Sequence, residues 1–186
     1  MSLRCCLPLM CALAAPSAFA AGLDLPALIE CRQGVADYAR LGPALADPLQ
    51  AVAQGLQPLP QANQFMREYR TAQPIRVFGQ ATDHLAVAGA SIMAVLDLPD
   101  PHPLATTLKL DTGYDQDGKF MAGRELVSRD VTDPTTGEAQ IESVILSVST
   151  VASHPGKTLA GCTYSLDLPA DEPAPAAPAP AASNGH

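Results

Sequence analysis

The spacing of apolar residues changes near residue 65. Before it, Leu28, Cys31, Val35 and Tyr38 recur at helical intervals behind an Asp24-Leu25-Pro26 start, and Gly42-Pro43 ends the run. A second, weaker helix is predicted over 44–55. It carries Leu45, Leu49 and Val52 on one side, and Pro48 falls in its first turn or splits it. Pro58 and Pro60 then mark a linker.

Beyond residue 65 the period shortens to two. Short strands are predicted over 74–79, 84–88 and 91–96, each bounded by Gly or Asp. The Pro-rich stretch 97–103 breaks the pattern, and Pro103 suits the first turn of a short helix over 104–108. Residues 111–118 read as a polar turn, 119–131 as a strand and 133–137 as a hairpin loop. The longest strand candidate is 139–151. It places Ile141, Ser143, Ile145, Ser147 and Ser149 on one side and Val144, Leu146 and Val148 on the other. His154-Pro155-Gly156 turns the chain into a last strand over 158–166. Strands in runs, joined by hairpin-length turns, argue for antiparallel pairing rather than parallel crossovers. The expected fold is α+β: N-terminal helices packed on a mostly antiparallel sheet of about five or six strands, with one disulfide.

Both ends differ from this middle. Met1–Arg4 is short and basic, Cys5–Ala15 is apolar but too short to cross a bilayer, and Ala18-x-Ala20 places small residues before Ala21. This is the layout of a cleaved secretory signal peptide over 1–20. Cys11 follows Leu9-Met10, so the small residues a lipid-acceptor cysteine needs in front of it are missing. Residues 169–186 are rich in Pro and Ala, without large apolar side chains, and are expected to be disordered or polyproline-like. A single α+β domain over 21–168 lies between.

Export changes the cysteine arithmetic. Of five cysteines, Cys5, Cys6 and Cys11 leave with the leader, and Cys31 and Cys162 remain. In an oxidising compartment the simplest outcome is a disulfide between them, joining the first helix to the last strand. A loop of that length restricts the unfolded chain by on the order of 4–5 kcal/mol in the chain-entropy model. The periplasm is the expected location, with full secretion as the alternative.

Composition narrows the partners. The formal charge is −8, with 11 Lys plus Arg spread singly, so the clustered cations that nucleic acid requires are missing. No second apolar stretch is long enough for a membrane span. Catalytic signatures are also missing: no serine sits in Gly-x-Ser-x-Gly, and the glycines form neither a phosphate loop nor a dinucleotide fingerprint.

The remaining candidates are local. Asp111, Asp115 and Asp117 crowd a turn that invites a calcium reading. Aligned on Gly118, however, an EF-hand loop would have Gly113 at its first position and Arg124 in place of the bidentate Glu. The same residues fit an acidic turn or a binding loop. His84 and His154 are the histidines that folding would have to bring to a carboxylate or serine for acid–base chemistry. Phe65-Met66-Arg67-Glu68-Tyr69-Arg70 mixes aromatic and cationic side chains. It reads as a recognition edge or, more simply, as an amphipathic segment with Phe65 and Tyr69 turned inward. No cofactor or metal is assigned.

The functional expectation is an exported, disulfide-stabilised bacterial envelope domain that binds an envelope protein or cell-wall component without catalysis. Two alternatives stand beside it. One is an inhibitor or immunity factor for a hydrolase, inserting the 97–103 or 111–118 loop. The other is a small enzyme with His84 or His154 as base.

Overall fold

A computed structural model describes residues 23–169. The expected leader, and all but the first residue of the expected tail, lie outside the described residues. Among the described residues the architecture is one antiparallel sheet of eight strands with five short helices. The strands are β1 (Leu56–Pro58), β2 (Arg67–Val77), β3 (Gln80–Ala88), β4 (Ser91–Leu96), β5 (Asp111–Gln116), β6 (Lys119–Thr132), β7 (Ala139–Ser149) and β8 (Thr158–Asp167). Their order is β1-β2-β3-β4-β8-β7-β6-β5. Two four-strand meanders, β1–β4 and β5–β8, are thus zipped together through β4 and β8.

The sheet exceeds the expected five or six strands by its two edges. β1 contains Pro58, which the sequence marks as linker, and an edge strand tolerates a missing N–H. β5 occupies most of the expected polar turn. All its residues are exposed, so no apolar alternation announces it. The turn proper is Asp117-Gly118, both at positive φ, as a two-residue hairpin loop requires. Phe78-Gly79 makes the equivalent turn between β2 and β3.

The long first helix expected from apolar spacing is two helices, α1 (Leu25–Ile29) and α2 (Val35–Ala39). Asp24 caps α1 by accepting from the Ala27 N–H at 3.0 Å. Cys31 then takes left-handed backbone (φ 55°). The Arg32 N–H reaches back to the Ala27 carbonyl at 2.8 Å, and this closes the helix end. The second expected helix splits at Pro48 into α3 (Gly42–Ala46) and α4 (Pro48–Ala53). The helix after the Pro-rich break is α5 (His102–Thr107).

Cys31, just past α1, is bonded to Cys162 in the middle of β8, with the two Cα atoms 5.3 Å apart. The ring of Tyr164 stacks on Tyr38 of α2 at 5.2 Å, and its hydroxyl donates to the Leu28 carbonyl at 2.7 Å. Covalent, aromatic and polar links therefore tie the helices to the same strand.

Alternation sorts the sheet into two faces. On the helix side, Leu85, Val87, Ile92, Ala94, Leu96, Ala160 and Val148 join Leu28, Ile29 and Leu41 in the main core. Burying each large side chain of this kind contributes roughly 1.5–3 kcal/mol. On the other side, Ala86, Val95 and Leu159 form a smaller apolar cluster with Met66. The sides of β7 alternate as expected: Val144, Leu146 and Val148 are buried on one, and on the other Ser143 is buried while Ile145, Ser147 and Ser149 are partly exposed. Among the described residues, no helix is long and apolar enough to cross a membrane.

Candidate ligand centre on the face away from the helices

Three chemistry-bearing side chains converge beside the smaller cluster. β2 and β3 pair so that Glu68 lies opposite Ala86 and Arg70 opposite His84. Glu68 and His84 are therefore diagonal neighbours on one face. His154 arrives from the loop joining β7 and β8. That loop is held by the His154 N–H on the Val151 carbonyl (3.0 Å) and the Lys157 N–H on the His154 carbonyl (3.2 Å). A second loop, 59–66, closes from the other side through a 3.3 Å bond from Asn63 Nδ2 to Ser153 Oγ.

The geometry centres on one oxygen. Glu68 Oε2 lies 2.8 Å from His84 Nε2 and 3.1 Å from His154 Nε2, and the imidazole centroids are 5.8 Å apart. The other carboxylate oxygen, Oε1, accepts from the Ala62 N–H at 3.3 Å. His154 Nδ1 is 3.0 Å from the Ser153 hydroxyl. The Glu68 side chain is 3% exposed, that of His154 7% and that of His84 28%, so the centre opens to solvent past His84. Grooves of about 430 Å³ and 360 Å³ run beside it, the first lined by His84 and the second by His154.

Burial by itself would raise the Glu68 carboxyl. Hydrogen bonds from His154 and His84, the His154 charge and the Ala62 N–H outweigh that and hold it below the usual glutamate range. An ionised carboxylate is thus kept inside the protein by donors from three separate segments. Among the described residues, this is the one group of three or more His, Cys, Asp or Glu side chains whose ligand atoms all lie within 4.8 Å of one another.

The aspartates named as a binding loop are not brought together. Asp111 pairs with Gly123 and Asp115 with Phe120, positions on opposite faces of β6, while Asp117 stands in the hairpin turn. Asp115 instead meets His102, whose Nε2 lies 3.1 Å from Asp115 Oδ2 and whose Nδ1 lies 2.6 Å from Asp100 Oδ1. Of the aromatic pair proposed to pack inward, Tyr69 is buried at 5% exposure and Phe65 stands out at 77%. Their separation is even, but Phe65 precedes β2 and escapes its alternation.

Sequence reasoning found both histidines and missed Glu68, which sits inside that mixed aromatic–cationic segment. A period-two reading of 67–71 would have placed it on the face opposite Tyr69. No protein-family model matches the chain, and no curated protein or solved structure matches it significantly.

Proposed function

We propose that the chain is an exported, disulfide-clasped, non-catalytic binding domain of the bacterial envelope, and that its binding centre is the Glu68–His84–His154 constellation. One observation carries this reading: a buried carboxylate shares a single oxygen between two imidazoles, beside two grooves. Stability alone does not call for such a group. Apolar side chains of similar volume commonly stabilise as well or better than buried ions, and the adjacent cluster of Ala86, Val95 and Leu159 shows that this face packs apolar residues. The mounting also favours a rigid site, since two of the three groups sit on paired strands. The Cys31–Cys162 bond supports a location outside the cytoplasm, the periplasm in the first instance. The ligand would belong to an envelope protein, the cell wall or the solution around them.

The test is native mass spectrometry of the protein recovered from its own envelope fraction. The reading expects a chain that begins at Ala21, has no free thiols and carries a non-covalent ligand lost in His84→Ala. A chain retaining Met1, or one whose wild type and His84→Ala forms are equally bare, overturns it.

A second reading, a hydrolase, has one observation in its favour. Ser153 Oγ, His154 and Glu68 follow one another in the order nucleophile, base and carboxylate. The imidazole is reversed relative to the usual triad, with Nδ1 toward the serine and Nε2 toward the acid. Labelling by a serine-directed phosphonate, abolished in Ser153→Ala, would favour catalysis; an unlabelled wild type removes it.

A further inference from the structure

We infer that Glu68 Oε2, His84 Nε2 and His154 Nε2 form a three-ligand site for a borderline divalent transition metal, with zinc(II) as the reference ion. The inference rests on the reading of this centre as the binding site and names the class of ligand it takes.

The donor set comes first. Two imidazole nitrogens and one carboxylate oxygen suit zinc and its first-row neighbours. Calcium and magnesium ask for oxygen donors throughout. The spacing agrees. Bonds of about 2.0–2.1 Å in a tetrahedral shell place neighbouring donors roughly 3.3–3.4 Å apart. The two histidine–glutamate gaps are 2.8 and 3.1 Å, and all three donor atoms lie within 4.8 Å of one another. Seating an ion therefore needs the two histidine–glutamate gaps to widen by about 0.2–0.6 Å, with the two imidazole nitrogens adjusting within their own separation. In the ion-free protein the Nε2 atoms can meet the carboxylate only by donating N–H bonds to it. A cation takes the place of those protons, and the same three atoms turn their lone pairs to it.

The surroundings suit a metal. When Nε2 binds an ion, Nδ1 carries the hydrogen, and the Ser153 hydroxyl stands 3.0 Å from His154 Nδ1 to accept it. The second carboxylate oxygen is held by the Ala62 N–H. Three ligands and an open side past the partly exposed edge of His84 leave a fourth position to water or to a group from the adjoining groove. The ion would tie the β7–β8 loop to β2 and β3 and so close the small apolar cluster from the outside.

The experiment is a titration of the chelator-treated, disulfide-intact protein with zinc(II), and in parallel with cobalt(II), calcium(II) and magnesium(II). It is read by calorimetry, thermal unfolding and the visible spectrum of cobalt. The expected result is one zinc per chain, a raised midpoint of unfolding and cobalt bands in the four-coordinate range, with no response to calcium or magnesium. His84→Ala lies at the partly exposed ligand and leaves the apolar cluster alone, so it should fold. It should weaken zinc by more than about 100-fold, and Ser153→Ala by about 10-fold. Zinc that leaves the unfolding midpoint unchanged, or that binds His84→Ala and Glu68→Gln as tightly as wild type, overturns the inference. If the native protein carries a ligand other than a metal while zinc fails to bind, the metal inference falls and the binding centre stands. If neither is found, both fall.

Discussion

Gly161 faces Met93 across the β4–β8 pair that joins the two meanders, and there is no room there for a side chain. A Cβ on Gly161 would lie 2.1 Å from the Ile92 carbonyl oxygen and 2.6 Å from the Met93 Cα. Both are backbone atoms, so relief would require the strands to part. Gly161→Ala should cost at least the 1–3 kcal/mol typical of overpacking. Gly113 lies in exposed β5 with no atom closer than 3.8 Å to a Cβ built there, so Gly113→Ala should be neutral or stabilise by a few tenths. Urea unfolding of the two variants checks the contrast.

The disulfide spans 131 positions. Replacing both cysteines by serine should lower stability by on the order of 4–5 kcal/mol in the chain-entropy model, with less if the reduced chain keeps residual structure. Denaturant midpoints of the wild type with and without reductant, compared with the double variant, measure the difference.

Tyr164 gives a prediction in alkali. Burial, and secondarily the Asp37 charge, push its phenol up to about 12 from an ordinary value near 10. A folded-state value above the unfolded one means that its contribution is complete below pH 10 and is lost as the pH rises toward 12. Spectrophotometric titration should show this tyrosine ionising last, together with unfolding. Tyr164→Phe removes the hydroxyl donor while the Leu28 carbonyl keeps the Cys31 N–H at 3.2 Å, so it should cost about 0.5–1.5 kcal/mol at neutral pH.

His102 should titrate high. Hydrogen bonds to Asp100 and then Asp115 raise its value above 6.5, and Asp100 is correspondingly lowered. The bridge from α5 to β5 is therefore complete below pH 6.5 and loosens as the pH rises through the raised value. The His102 ring resonances should report that value by NMR, and Asp115→Asn should bring it down.

How much of this was legible in the sequence depended on whether a local pattern could carry the information. The faces of β7 follow directly from Ser143, Val144 and their alternating neighbours. The bond between Cys31 and Cys162 was reached by setting aside Cys5, Cys6 and Cys11 as part of an expected leader. The break between α1 and α2 does not, because apolar spacing runs straight through Cys31, and only its left-handed backbone ends the turn. The Glu68–His84–His154 constellation was hidden by register. Counting back from Phe78-Gly79, Val77 pairs with Gln80 and Ile75 with Thr82. The ladder then slips between Arg70 and Ile75, so that Arg70 meets His84. Without that irregularity, near Pro74, Glu68 would stand three residues out of place and away from His84. His154 is 86 positions from Glu68, and its approach is decided by a loop. Neither relationship is written in any window of the chain.

The most direct measurement is a long-range proton–nitrogen spectrum of the imidazoles while one equivalent of zinc is added. The Nε2 signals of His84 and His154 should lose their hydrogen and shift together as the ion fills, while those of His102 stay in place. Unmoved His84 and His154 signals, or a response confined to His102, would contradict it.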